Sequence, residues 1–370
     1  MAEQTEKYAA IHYHDYLKLD QVLGAQQLRS ARIDAAPAHD EMLFIIVHQV
    51  YELWFKQIIH ELTSVAAMFS GGHVDERNIG VAVARLNRVI EIQKLLIQQV
   101  QVLETMTPLD FLDFRAYLFP ASGFQSYQFR VVEVMLGLRE SERLTYNNQP
   151  YYTAFDEIRR RELEQLQSAP SMFELVQDWL ERTPFLQYAD FDFLEKYKSA
   201  VTDMLAREAE AIRHSDYLSD ADKTGRLAML GGTETFFKNV LDQAAHEAAL
   251  QSGQTRLSYR ATLAALFINL YRDEPILHLP YRLLTSLVEI DEHFTTWRYR
   301  HAQMVLRMLG RKIGTGGSSG HKYLHDTAVR HHIFTDFHHI STLLIPRSEL
   351  PVLPPQIKRQ LGFYYGVGQD

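Results

Sequence analysis

The chain has 370 residues, 46% of them hydrophobic and 23% charged, with no cysteine and a formal net charge of −8. That balance belongs to a folded globular protein with a packed core, and the lack of cysteine excludes disulfides, zinc-thiolate and iron–sulfur sites, other thiolate-bound metal centres and cysteine nucleophiles. Net acidity without a long Lys/Arg run speaks against nucleic acid or an anionic membrane as the main partner and for a small molecule.

No stretch of about 18 uninterrupted apolar residues occurs, and the opening residues lack a basic-then-apolar leader, so a cytoplasmic location is expected. Helical spacing dominates, and no strand-then-helix rhythm is present, which makes the fold class all-α. From Glu41 to Phe69 the chain has no Gly or Pro and is apolar on most faces, the pattern of a helix inside a bundle. Asp40 stands at its N-cap position and Gly71-Gly72 at its end. A second long helix is expected from about Val74 to Glu104, and a third, after the break at Pro120 to Gly123, from Phe124 to Leu138. Ser141 to Tyr152 is polar and turn-rich. Charged helices follow at Asp156 to Gln167, Ser171 to Arg182 and Asp190 to His214, the last with a solvated face.

Between Ile276 and Leu309 lies the most informative helix, with Pro280 in or just before its first turns. Leu283, Leu287, Ile290, Phe294, Trp297, His301, Met304 and Met308 recur at steps of three and four and so share one side. His301 therefore points where Leu or Phe is expected. A core histidine bonded to a backbone carbonyl and a metal ligand both fit that position; the aromatic and thioether neighbours would suit a flat apolar cofactor. His48, one turn after Phe44 and followed by Tyr51 and Glu52, poses the same alternatives, since a neutral imidazole in a dry pocket can make one directed hydrogen bond. In the run Phe111 to Leu118, Arg115 sits among aromatic and apolar residues. Its planar fork suits a carboxylate, either of a ligand or of a structural acid such as Asp113.

The loop Gly314-Thr315-Gly316-Gly317-Ser318-Ser319-Gly320 lacks nucleotide-binding order and follows a helix, leaving a connector or a loop that closes over a polar ligand end. Of the 17 histidines, His321, His325, His331, His332, His338 and His339 cluster. Neither His60-Glu61 nor His246-Glu247 continues into a zinc motif, so a solvated face is the preferred reading. No G-x-S-x-G elbow supports serine hydrolysis, and no internal repeat or linker divides the chain.

Five segments, in order, resemble the tryptophan 2,3-dioxygenase family: YHDYLKLD (13–20), HDEMLFIIVHQVYELWFKQIIHEL (39–62), DFLDFRAYLFPASGFQSYQFR (110–130), WRYRHAQMVLRMLGRKIGTGGSSG (297–320) and STLLIPRSELP (341–351). The resemblance implies a helical bundle enclosing haem b, ferrous in the active state, with His301 as the axial iron ligand and Trp297 and Ser122 beside the haem. It implies His48 as partner of the substrate's indole NH, Arg115 as carboxylate partner, and Phe44, Phe111, Leu118 and Thr315 as further pocket residues. Tyr13, Tyr16 and Leu17 would reach into a neighbouring subunit of a homotetramer. The domain plan that follows is an exchanged arm at 1–40, a haem-binding catalytic domain at 41–350 with a helical insertion at 150–275, and a tail at 351–370. The implied reaction cleaves the indole C2–C3 bond of L-tryptophan with O2 to give N-formylkynurenine. The histidine-rich segment 321–341 and the long loop from Arg29 to Ala38 depart from the family pattern and keep open a related haem monooxygenase hydroxylating a (substituted) tryptophan. A haem sensor is the third reading.

Overall fold

The computed structural model describes residues 10–33, 36–71, 73–144, 150–310, 312 and 320–362. After three short helices, α1 (Tyr13–Leu17), α2 (Leu19–Leu23) and α3 (Ser30–Ile33), come two long ones, α4 (Glu41–Phe69) and α5 (Glu76–Leu103). Shorter helices follow as α6 (Pro108–Arg115), α7 (Tyr127–Leu136), α8 (Glu157–Ser168) and α9 (Met172–Glu181). The one antiparallel pair of strands among the described residues is two residues deep, Gln187–Tyr188 against Phe191–Asp192. Beyond it run α10 (Phe193–Arg213), α11 (Asp220–Leu241), α12 (Gln243–Gln251), α13 (Tyr259–Leu270), the 32-residue α14 (His278–Leu309), α15 (Gly320–Arg330), α16 (Thr335–Ile340) and α17 (Pro355–Leu361). The fold is all-α.

Local chemistry sets several boundaries. Asp75 accepts from the Arg77 amide at 2.9 Å and starts α5 at Glu76. Thr107 and Asp110 form a capping box with Pro108 at the first position of α6. Ser126 accepts from the Phe129 amide, so α7 begins at Tyr127 and residues 123–125 make a 3₁₀ turn, later than the sequence pattern implies. Gly137 ends α7 with φ +117°, where a Cβ would lie 2.7 Å from Ser171 Oγ. Asp40 has a helical backbone and its side chain caps nothing, contrary to expectation. Glu41, itself buried, turns outward from α4 and accepts from the amides of Arg29 and Ser30 at 2.8 and 2.9 Å and from Ser30 Oγ at 2.5 Å.

The core is one continuous cluster of buried apolar side chains reaching from Val47 to Leu361, so α17 packs into it through Ile357 and Leu361. Its centre is α5, sandwiched between α4 and α14. Ile79, Leu86, Leu283, Leu287 and Ile290 are fully enclosed at 0% exposure, each worth about 1.5–3 kcal/mol of burial. Three polar side chains then lock the register of these helices. Tyr51 donates to the Leu96 carbonyl at 2.8 Å, Gln99 to that of Val47 at 2.8 Å, and Gln93 to that of Ile290 at 3.0 Å. By length and composition α4 could cross a membrane; here it is a bundle helix packed on α5 and α7.

Candidate functional site

Register locking matters because α4 carries His48 and α14 carries His301. The His48 ring is tilted against Phe44, with centroids 4.1 Å apart and planes 34° off, and its Nδ1 lies 2.7 Å from the Phe44 carbonyl oxygen. A carbonyl only accepts, so Nδ1 carries the proton and Nε2 keeps a free lone pair in the neutral ring. Neutrality follows from the surroundings: desolvation pushes the His48 pKa down, against the weaker pull of the Phe44 carbonyl and of Glu52. The residue nonetheless keeps solvent-exposed surface.

His301 lies on α14, which meets α4 through Trp297. Burial, with a smaller contribution from the nearby His48, pushes the His301 pKa down to about 4. Among the described residues its ring makes no hydrogen bond. Trp297, one turn earlier, lies almost parallel to it, with centroids 5.4 Å apart and planes 20° off. Trp297 is held in turn by the edges of Tyr51 at 6.0 Å and Phe55 at 6.3 Å and by Phe129 at 5.1 Å.

Beside His48 the wall is aromatic. Phe44, Phe111 and Phe114 form a mutual cluster with centroids 5.4–5.8 Å apart, and Phe114 is completely buried beneath the other two. Leu118 packs half-buried on the same core. Arg115 closes α6 one turn after Phe111 and is half-buried. Asp113, the structural acid weighed as its partner, is exposed and forms no ion pair among the described residues. Ser122 caps the following 3₁₀ turn, its Oγ accepting from Phe124 N at 3.4 Å while its N–H donates to Gln125 Oε1 at 3.2 Å. Glu52, one turn beyond His48, accepts from Ser126 Oγ at 2.6 Å and Gln128 Nε2 at 2.9 Å and ties α4 to α7.

The residues expected from sequence divide clearly. His48, Phe44 and Phe111 come together where α4 meets α6, with Arg115 one turn after Phe111 and Leu118 packed on the same core, while His301 pairs with Trp297 on α14. Tyr13, Tyr16 and Leu17 stand away on α1, which buries no residue, at 71, 70 and 39% exposure. Thr315 lies outside the described residues. Phe114, Tyr51 and Phe129 escaped sequence reasoning; spacing of three from Phe111 and from His48 was the available signal for the first two. The histidine-rich segment does not assemble a metal centre among the described residues. His331 is buried and accepts from the Leu144 amide at 3.1 Å, and the His321 and His325 rings stand 6.0 Å apart.

The fit to a haem rests on the donor set. An uncharged imidazole that makes no hydrogen bond among the described residues, beside Trp297 and half-buried Met304, would suit as the iron ligand of a haem, and a second imidazole, His48, is nearby. Fold and site together define an all-α enzyme with two neighbouring imidazoles on separate helices. The chain belongs to the tryptophan 2,3-dioxygenase family, which it matches over residues 2–344. It is 51% identical to the tryptophan 2,3-dioxygenase of Bdellovibrio bacteriovorus over 97% of this chain and 100% of that protein. Identity is 49% to the enzyme of that name from Alteromonas mediterranea, over 95% of this chain and 97% of that one. For that of Dictyostelium discoideum it is 46%, over 96% and 89%.

Proposed function

We propose that this chain binds haem b through His301 and uses O2 to open the indole ring of L-tryptophan between C2 and C3, giving N-formylkynurenine. The observation that carries the reading is the pair of neighbouring imidazoles, the His301 ring with no hydrogen bond among the described residues and the His48 ring with Nδ1 bound to the Phe44 carbonyl and Nε2 left over, in a chain of this family. Haem, when bound, supplies the iron at which O2 is activated.

The protein's own part is positioning. In the neutral ring His48 Nε2 can only accept, which matches the indole N–H and orients the ring; a protonated His48 would repel that donor, and desolvation lowers its pKa against protonation. Arg115 pairs with the carboxylate of the free amino acid, Phe44, Phe111 and Leu118 exclude water around the indole, and Thr315 contacts the amino-acid end. Trp297 and Ser122 border the haem. Holding both ends of the substrate fixes C2–C3 beside the iron and converts encounter into orientation.

The working form is a cytoplasmic homotetramer without nucleic-acid or membrane partners. In it residues 1–40 are an arm exchanged between subunits, 41–350 the haem-binding domain with its insertion at 150–275, and 351–370 a tail. Tyr13, Tyr16 and Leu17 of that arm would complete a neighbour's pocket. Their exposure supports this, as does the apolar surface of Met42 and Ile46 beside Phe44, 38 and 42% exposed. All the relatives named above are dioxygenases, which favours insertion of two oxygen atoms over the single-atom hydroxylase reading. Turnover of L-tryptophan by the haem-loaded protein under ¹⁸O₂ tests the choice: two labelled atoms are expected in the product, and one refutes it. His301→Ala is expected to abolish haem binding, and full binding in that variant refutes the ligand assignment.

A further inference from the structure

Beneath the His301 side of the pocket lies a buried ionic knot that the reaction as described does not use. Glu133 of α7 accepts at Oε1 from Arg298 Nη2 at 2.9 Å, and at Oε2 from Arg130 Nη1 at 2.8 Å and Arg143 Nη1 at 2.6 Å. Arg298 also donates from Nη1 to the His331 carbonyl at 2.8 Å. All four charged side chains are at most 9% exposed. Three guanidiniums thus share one carboxylate out of reach of solvent and salt.

Nothing in the knot cancels the excess. The three arginines hold Glu133 well below the usual carboxylate range, so it is already fully ionised and can offer no further charge. His331 is kept neutral mainly by burial. Among the described residues, the remaining Arg143 nitrogens, Nε and Nη2, and Arg130 Nε have no hydrogen-bond partner. The Arg143 guanidinium instead lies 4.1 Å from the Tyr151 ring, and that of Arg130 6.0 Å from it. Ring contacts ease desolvation without neutralising a charge.

The knot is also close to the iron ligand. Arg298 precedes His301 by three residues on α14, about 4.5 Å along the axis. Between them stands a dry aromatic stack: Trp297 on His301, Phe129 against Trp297, and Arg130 and Arg298 over the Phe129 ring at 5.6 and 6.0 Å. A field crossing such a medium is weakly screened. Two acids oppose it from farther along or across the pocket. Asp291 is ten residues before His301 on α14, and Glu52 is on the opposite helix, its charge partly met by Ser126 and Gln128.

We infer that the Glu133–Arg130–Arg143–Arg298 knot is an electrostatic positioning device that favours the ferrous over the ferric state of the iron held at His301. Ferric iron takes up one electron on reduction, so a surplus of buried positive charge stabilises the reduced form, while Arg298 fixes the rotation of α14 that aims His301. The inference rests on the haem reading of His301.

The test is a spectroelectrochemical titration of the full-length, haem-loaded chain, the electrode supplying the electron. Glu133→Gln, which makes the knot more positive, is expected to raise the midpoint potential, and Arg298→Gln to lower it. Arg298→Lys keeps the charge but loses the fork, and is expected to melt at lower temperature with a potential near that of the parent. A role confined to stability predicts shifts of one sign in both glutamine variants, or Lys and Gln variants that behave alike at position 298, and either result overturns the inference. Where Glu133→Gln does not fold, Arg143→Gln against Arg143→Lys poses the same question from another segment: a lowered potential in Gln alone supports the device, and equal potentials refute it. His301→Ala run in parallel separates the two claims, because undiminished haem binding there defeats the ligand assignment and leaves the charge shifts to be read on their own.

Discussion

Replacing Arg115 by Leu keeps most of the apolar stem that packs beside Phe111 and removes the guanidinium. The loss can be bounded from its setting. A fully buried ion pair broken on one side costs about 3–5 kcal/mol, but Arg115 is half-buried at the end of α6, where solvent screens part of the interaction. A charge-assisted bidentate contact there is worth about 2–3 kcal/mol, or about 30- to 150-fold in kcat/KM. The assay compares L-tryptophan with tryptamine, which lacks the carboxylate, on the haem-loaded parent and variant. The parent should strongly prefer L-tryptophan, and Arg115→Leu should erase that preference while leaving the slow tryptamine rate unchanged. Arg115→Lys should fall between, having charge without the fork. Equal losses on both substrates would show that Arg115 supports the pocket's shape and does not read the carboxylate.

Three further outcomes follow from the same structure. Gly137→Ala must accommodate φ +117° and a Cβ 2.7 Å from Ser171 Oγ; a cost of about 1–3 kcal/mol is expected, and an unchanged melting temperature would contradict the strain. Phe114→Ala empties the space beneath Phe44 and Phe111, where the ring is 0% exposed. Urea unfolding should register about 3–5 kcal/mol, and a loss below 1 kcal/mol would mean that the aromatic cluster refills the gap. Glu133 and Glu41 both have folded pKa values below the ordinary 4.5. Their contribution is therefore complete above about pH 4.5 and is lost as the pH falls from there through the folded values. Glu133→Gln should flatten the acid limb of the urea-midpoint profile, and a limb as steep as the parent's would assign acid sensitivity to other groups.

Much of the candidate site was legible because its chemistry is arranged along helices. The spacing from Phe44 to His48 is one turn, and the structure uses it: the same turn that sets the two rings against each other brings His48 Nδ1 to the Phe44 carbonyl. The stripe from Leu283 to Met308 likewise put Trp297 and His301 on one face before any packing was known. Phe114 was legible in type but not in role, since a phenylalanine three residues from another can line a pocket or support it, and only its complete burial decides. Asp40 shows the opposite failure: a good capping residue in the right place left its helix uncapped, because Glu41 instead reaches back to the amides of Arg29 and Ser30.

What the amino-acid order determined alone was the helical class, the extent of α4 from Glu41 to Phe69 and the sidedness of α14, all products of propensity and period within a few turns. Family membership was also legible there, through five ordered segments. Tertiary structure decided what faces what. Glu133 and Arg298 are separated by 165 positions yet meet at 2.9 Å, and Gln93 reaches across 197 positions to the Ile290 carbonyl. Such pairs leave no period in the sequence, because a hydrogen bond or ion pair between distant segments depends on how whole helices pack. The same packing brought His48 near His301.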